Sequence, residues 1–295
     1  MQISANIKSF ISNSAWLLFD KFYRIGLGML VSVWIARYLG PASFGELAYV
    51  ISALIFFQTL SRAGLDGIVV RELSLNPKNS EEIIGSAFFI KLISGGLSYL
   101  LAVSLFYCFE GPNLTLLIAL AGITLFFQSM DILELWFQSQ SLNKKSVVAK
   151  LIAYSIVNIG RIFLIITEQD IIYFALFVGL EMVFAALALI IMYYQNNTFL
   201  SWTVSKKLTV KLLRESWPYL LSGLSVVLYM RVDQLLIKNL TSPESLGFYA
   251  AGVAISSQLS FIPVIIQKTI TPFITRKKAE SEQQYQQWIK KLFFG

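Results

Sequence analysis

Long apolar stretches separated by short polar segments dominate the chain. A transmembrane helix needs about 20 residues to cross a hydrocarbon core of about 30 Å, and eight stretches reach that length. They lie near residues 14–36, 45–64, 84–108, 114–137, 146–166, 171–194, 216–238 and 246–274. Polar and apolar residues do not alternate along them, so the pattern favours helices over strands. The sequence therefore predicts an all-α, polytopic integral membrane protein with about eight transmembrane helices.

Lysine and arginine residues between these spans fall almost entirely on one side of the membrane. Thirteen basic residues share that side: Lys8, Arg62, Arg71, Lys78, Lys144, Lys145, Lys206, Lys207, Lys211, Arg214, Arg276, Lys277 and Lys278. On the other side lie Arg37 and Lys238. Because basic loops remain in the cytoplasm, the N-terminus is predicted to be cytoplasmic. Much of the formal net charge of +7 then reflects membrane topology.

The first and seventh spans begin an internal repeat. A shift of 201 residues aligns Trp16 with Trp217, Arg37 with Lys238 and Leu39 with Leu240. After one inserted residue, Pro41, Ser43, Gly45 and Ala48 align with Pro243, Ser245, Gly247 and Ala250. Copies displaced by six helices keep the same membrane orientation, as in two-lobed transporters. We therefore expect a six-helix lobe at 1–194, a cytoplasmic linker at 195–214 and an incomplete second lobe at 215–295.

The second copy of the repeat stops early in the sequence. Trp288, Ile289, Leu292 and Phe293 match the entry to the third span, where a ninth helix would begin. We therefore expect a truncated product of a longer gene, with one full lobe and the start of another. The alternative is a tail that forms an amphipathic helix on the cytoplasmic membrane surface.

Composition excludes several kinds of chemistry. Hydrophobic residues make up 56% of the chain and charged residues 14%, against about 25% charged residues in soluble domains. The chain has no histidine and one cysteine, Cys108. Ser-His-Asp triads, Cys-His pairs, histidine metal sites and intrachain disulfides are therefore excluded. We expect no catalytic residues, no metal, no cofactor and no nucleic-acid partner.

Ionisable side chains inside the spans are the candidate functional residues, because an unpaired charge in hydrocarbon costs several kcal/mol. The candidates for binding an anionic cargo are basic: Arg24, Lys91, Arg161 and Arg231. The candidates for ion coupling or ion pairing are acidic: Asp20, Glu181 and Asp233. Three further residues lie near the cytoplasmic ends of their spans and are interpreted as interfacial: Asp131, Glu134 and Lys150.

Helical spacing relates some of these candidates to one another. Asp20 and Arg24 are one turn apart, so they are expected either to form an ion pair or to line a cargo path. Glu181 has no basic partner at helical spacing in its own span. It is therefore either a coupling carboxyl group or a hydrogen-bonded structural group.

Span seven carries a polar stripe. Arg231, Gln234 and Lys238 follow helical spacing and are directed toward the outer leaflet, so the stripe is expected to suit a phosphate group. Asp233 points to a different face. It is expected to pair with a base on another helix, or to bind and release a proton or a sodium ion.

Two segments resemble a known family. The first is IARYLGPASFGELAY at Ile35–Tyr49, followed by a loop with Gly64, Leu65, Arg71 and Glu72. The second is RVDQLLIKNLTSPESLGFYAAG at Arg231–Gly252, whose Asp233 also fits the family pattern. They resemble the start and the seventh-to-eighth helix region of bacterial polysaccharide biosynthesis proteins of the O-antigen flippase type. These proteins belong to the multidrug/oligosaccharidyl-lipid/polysaccharide exporter superfamily.

The resemblance implies two six-helix lobes around a cationic cavity that opens alternately to the two sides of the bacterial cytoplasmic (inner) membrane. The implied function is to flip an undecaprenyl-pyrophosphate-linked oligosaccharide, such as an O-antigen or capsule repeat unit, to the periplasmic leaflet. Further expected partners are membrane lipids, a proton or sodium ion, a glycan polymerase and a chain-length regulator. The alternatives are a multidrug or small-molecule antiporter, an inactive truncated remnant, and a membrane-embedded glycan polymerase or transferase.

Overall fold

The computed structural model describes residues 2–140, 142–195 and 202–259. These residues form ten α-helices and two short 3₁₀ turns and contain no strand, which confirms the all-α prediction. The helices are α1 Gln2–Arg62, α2 Asp66–Leu75, α3 Ser80–Phe109, α4 Pro112–Ala121, α5 Ile123–Phe127, α6 Ile132–Ser139, α7 Asn143–Ile166, α8 Ile171–Tyr194, α9 Lys206–Leu240 and α10 Pro243–Leu259. The 3₁₀ turns are Pro77–Asn79 and Gln128–Asp131.

Six segments of the described chain are long and apolar enough to cross a membrane, which confirms a polytopic protein. The first, Leu18–Leu75, has 58 residues and so covers most of the first predicted span and all of the second. The other five match predicted spans three to seven: Pro77–Phe109, Pro112–Ser139, Asn143–Ile166, Ile171–Tyr194 and Lys206–Leu240. The eighth predicted span beyond Leu259, the tail that holds Trp288 to Phe293, and linker residues 196–201 lie outside the described residues.

Helix α1 changes direction at Gly40. This residue has φ 71° and ψ 172°, a conformation that glycine adopts readily and that strains residues with a Cβ atom. Pro41 follows it and has no backbone N–H to donate to the preceding turn. The kink divides α1 into an N-terminal arm, 2–39, and a C-terminal arm, 41–62, which correspond to the first two predicted spans.

The fourth predicted span is broken rather than continuous, because α5 and a 3₁₀ turn separate α4 from α6. Side-chain hydroxyl groups compete here for helical carbonyl groups. Thr124 Oγ1 donates to the carbonyl of Ala121 at 3.0 Å, and Ser129 Oγ donates to the carbonyl of Phe126 at 2.7 Å. The break places Asp131 at the junction between the 3₁₀ turn and α6.

Two buried apolar clusters lie at different levels along the helices. The cluster toward the predicted outer side includes Val50, Phe106, Ile118, Phe174 and Leu246. The cluster toward the predicted cytoplasmic side includes Leu65, Ile84, Phe137, Leu189 and Leu212. Buried polar residues lie between these sets along the same helices, and we call them the polar layer: Ser61, Lys91, Ser98, Gln128, Ser129 and Asn158. The membrane interior of this fold is therefore polar at one level and apolar on either side of it.

Helix α9 packs antiparallel along the C-terminal arm of α1. Near the predicted cytoplasmic end, Gly64 lies so close to α9 that a Cβ atom would come within 2.5 Å of the Ser216 carbonyl oxygen. Farther along, buried Ser52 donates to the side-chain oxygen of buried Gln234 at 2.7 Å. The seventh predicted span is thus joined to the second predicted span at two separate levels.

A reciprocal glycine contact lies at the predicted outer end of this region. A Cβ atom on Gly45 would lie 1.9 Å from the carbonyl oxygen of Pro243, and one on Gly247 would lie 1.9 Å from that of Pro41. The predicted repeat aligns Pro41 with Pro243 and Gly45 with Gly247. The two copies of the motif therefore touch each other through equivalent atoms, as they would around a two-fold axis.

We predict that Gly45→Ala and Gly247→Ala each lower the free energy of unfolding by about 1–3 kcal/mol, because the new methyl group must displace backbone rather than a side chain. Thermal unfolding in detergent measures this. Gly26→Ala is the matched control, because no heavy atom lies within 4 Å of its Cβ position. It is expected to be neutral or stabilising by up to about 1 kcal/mol, and equal losses in all three variants would contradict the close backbone contact.

Candidate functional site

In the described part of the chain, three of the four basic candidates are paired with carboxylates. The pairs are Arg24 with Asp20 at 2.8 Å, Lys91 with Asp66 at 2.6 Å, and Arg161 with Glu181 at 3.0 Å. The expected pair of Asp20 and Arg24 is therefore present. Because an ion inside a membrane protein is stable when a counter-ion faces it, each pair removes most of the cost of its charges. Their exposure then decides which of them can meet a ligand.

The Asp20 and Arg24 pair is partly open and is positioned by α7. The Arg24 and Asp20 side chains are 27% and 25% exposed. The Arg24 guanidinium carbon lies 4.6 Å from the centre of the Tyr154 ring, and Tyr154 Oη donates to the backbone carbonyl of Arg24 at 3.2 Å. An arginine held over an aromatic ring keeps its remaining N–H donors free for an anion. Arg24 is thus a basic candidate that can meet cargo.

Arg161 and Glu181 connect α7 to α8. Glu181 lacks a basic partner in its own helix, as its sequence indicates, but Arg161 of the neighbouring helix supplies one. Arg161 Nη1 also lies 3.5 Å from the side-chain oxygen of Asn158. With side chains 14% and 32% exposed, this pair is better placed to join two helices than to bind a cargo.

Lys91 is sealed inside the protein, which differs from its expected role in contacting cargo. Its side chain is 1% exposed, whereas that of its partner Asp66 is 45% exposed. The buried ammonium group therefore holds the first residue of α2 in place rather than facing a cavity. Lys91 is a positioning residue in this structure.

The polar residues of α9 divide into two groups. Arg231 makes no ion pair with any residue that the structure describes, so its charge remains available. Asp233 accepts hydrogen bonds from the backbone N–H of Gln234, at 2.8 Å, and from the hydroxyl group of Tyr249 in α10. The sequence analysis expected Asp233 either to pair with a base on another helix or to bind an ion. Its partner on another helix is the hydroxyl group of a tyrosine.

Lys238 belongs to a cluster that joins α9 to α1 and to the end of α3. Its ammonium group donates to Glu110, at the end of α3, and lies 4.6 Å from the centre of the Tyr49 ring. Tyr49 Oη donates to the same carboxylate at 2.5 Å. Lys238 is thus neutralised, and because Gln234 is bonded to Ser52, the stripe predicted to bind phosphate retains Arg231 as its available member.

A groove of about 400 Å³ lies beside the predicted cytoplasmic ends of α1 and α9. Arg62 and Asp66 supply its charged groups, and Tyr219, Val226 and Val227 are among its lining residues on α9. The groove is therefore amphiphilic. The sequence analysis counted Arg62 among the basic residues that mark the cytoplasmic side. The signal for a further role was Asp66, an acidic residue four positions later.

Arg62 is oriented by the polar layer. With the Gln128 amide turned so that its oxygen faces α1, that oxygen accepts from Arg62 Nε at 2.5 Å and Nη2 at 3.2 Å. This neutral partner leaves the guanidinium charge uncompensated. Buried polar side chains thus position both charged groups that line the groove. Gln128 bonds to Arg62, and Lys91 bonds to Asp66.

Comparison with known proteins adds one finding. The family model described as polysaccharide biosynthesis protein matches residues 10–278. The matched range includes every site residue described above. No curated protein and no solved structure matches the chain.

We predict that Asp66→Asn destabilises the protein more than Lys91→Met does. The first change leaves an ammonium group that is 1% exposed without an anion, which costs about 3–5 kcal/mol. The second leaves a half-exposed carboxylate that water can solvate. Thermal unfolding of both single variants and of the double variant measures the difference.

The double variant serves as the control, because it removes both charges. It is expected to regain most of the stability lost in Asp66→Asn. Equal losses in the two single variants would contradict the positioning role of Lys91.

Proposed function

Because the chain belongs to the polysaccharide biosynthesis protein family, we propose that this multi-pass membrane protein moves a lipid-linked oligosaccharide across the bacterial cytoplasmic membrane. The cargo is an undecaprenyl-pyrophosphate-linked repeat unit, such as one for O-antigen or capsule, and alternating access carries it from the cytoplasmic to the outer leaflet. Translocation makes and breaks no covalent bond. The flipped repeat unit is then available to a glycan polymerase and its chain-length regulator.

The amphiphilic groove at the predicted cytoplasmic end carries this proposal. A lipid-linked sugar has an apolar polyprenyl chain, an anionic diphosphate and a polar glycan. The apolar side chains of α9 suit the first, and the guanidinium group of Arg62 suits the second. Asp66, on the same groove, suits the hydroxyl groups of a sugar as a hydrogen-bond acceptor. All three features meet at the side from which the cargo would be loaded.

Two more arginines extend the cationic character toward the interior of the membrane. Arg24 is partly exposed and shares its charge with Asp20, and Arg231 has no carboxylate partner within the described residues. A diphosphate that carries more negative charge than one carboxylate competes well for Arg24. We assign Arg24, Arg62 and Arg231 to the cargo path, and Arg161 and Lys91 to the support of the helices around it.

We predict that Arg24→Ala and Arg231→Ala each reduce surface glycan at least about tenfold, because each removes a charge-assisted contact worth about 1.5–3 kcal/mol. The gene is deleted from the bacterium that encodes the chain, and each variant is returned on a plasmid. Surface glycan and the cellular pool of lipid-linked repeat units are measured. Lipid-linked repeat units are expected to accumulate where surface glycan falls.

Arg37→Ala is the matched control, because Arg37 is an exposed arginine of the same helix as Arg24 and has no assigned role. It is expected to restore glycan fully at a protein level equal to that of the other variants. Normal glycan in Arg24→Ala and Arg231→Ala would overturn their roles as cargo contacts. A deletion strain with normal glycan and new sensitivity to toxic organic cations would instead favour a multidrug antiporter.

A further inference from the structure

The three acidic candidates in the described spans all have partners, and Asp131 differs from them. Asp20 and Glu181 face arginines, and Asp233 accepts two hydrogen bonds. Among the described residues, Asp131 makes no ion pair, and its Oδ1 atom is buried without a hydrogen-bond partner. The interpretation of Asp131 as an interfacial residue does not account for this buried oxygen. A carboxylate oxygen in this position carries an unmet need for a proton, a cation or a donor.

Asp131 also lacks the backbone partner that its position offers. It ends the 3₁₀ turn and directly precedes α6, where an aspartate side chain commonly accepts a bond from a backbone N–H of the first turn. Asp131 makes no such capping bond. The residue as a whole is only partly buried, so its carboxyl group is not sealed from every side.

Four charged groups from four helices act on Asp131 electrostatically: Arg62 of α1, Lys91 of α3, Glu134 of α6 and Lys150 of α7. The nearest partners of these groups are other residues. Lys91 binds Asp66 and Lys150 binds Glu134, at 2.6 and 2.7 Å. The cations are therefore close enough to influence Asp131 but are not available to neutralise it by contact.

We propose that Asp131 is a proton-binding site at the junction between the fourth predicted span's 3₁₀ turn and α6. Proton binding requires no cargo, so this inference goes beyond the proposed function and does not depend on it. A proton fits this position better than a sodium ion. A proton leaves the carboxyl group neutral with the unpartnered Oδ1 atom as its carbonyl oxygen, whereas a sodium ion would need several further oxygen ligands around that atom.

Lys150 connects this site to the cargo path. It interacts electrostatically with both Asp131 and Arg24. An anion bound at Arg24 is therefore also expected to alter the proton affinity of Asp131, through the electric field of its own charge. By linkage, protonation of Asp131 alters anion affinity at Arg24 by the same factor.

The test is infrared difference spectroscopy of the purified full chain in lipid nanodiscs, stepped from alkaline to acidic pH. A protonated carboxyl group whose carbonyl accepts no hydrogen bond absorbs at higher frequency than the solvated carboxyl groups at the surface. We expect such a high-frequency band in the wild type, and we expect Asp131→Asn to remove it. The matched control is Glu134→Gln, which removes a carboxyl group one turn away and is expected to retain the band.

Asp131→Ser provides a second variant should the asparagine variant misfold, and it is also expected to lack the band. Both Asp131 variants are expected to unfold at a temperature no lower than the wild type, because each replaces a carboxyl group that can ionise in a buried position with a neutral side chain. Replacing choline chloride with sodium chloride at fixed pH is expected to leave the band unchanged. A wild type without the band, Asp131 variants that keep it, or a sodium-dependent loss of the Asp131 band would each overturn the proton site. Because none of these measurements uses cargo, their failure is distinct from failure of the proposed translocation.

Discussion

The requirement that charges inside a membrane be partnered governs how these helices pack. Lys91 and Asp66 fix α2 against α3, Arg161 and Glu181 join α7 to α8, and Lys238 and Glu110 join α9 to α3. Apolar contacts cannot supply such directional links, because lipid tails satisfy an apolar surface as well as another helix does. The ion pairs therefore select one arrangement among the many that apolar helices could adopt.

The same requirement separates structural charges from functional ones. A cation that is buried and paired, as Lys91 is, contributes to positioning. A cation whose partner is neutral, as with Arg62 and Gln128, or whose pair is partly open, as with Arg24, keeps a positive potential that an anionic ligand can use. The polar layer connects structural and functional charges, because its buried members Lys91 and Gln128 bond to Asp66 and Arg62, which line the groove.

Sequence patterns predicted the features that depend on short-range periodicity. Span positions follow from runs of apolar residues, and the Asp20 and Arg24 pair follows from one helical turn. The partner of Glu181 could not be predicted, because the register between α7 and α8 depends on tertiary packing. The same limit applies to Lys91, whose burial cannot be read from the pattern of its own helix. It also applies to Asp131, whose position depends on a break in the fourth span, where two hydroxyl groups bond to helical carbonyl groups.

The reciprocal contact of Gly45 and Gly247 has a consequence for how closely the two helices approach each other. Each glycine lies against the backbone of the motif that holds the other glycine, so both contacts depend on the same spacing between α1 and α10. A side chain at either glycine would push the helices apart and lengthen both contacts together. The spacing at this end is therefore set by backbone atoms, which cannot repack as side chains can.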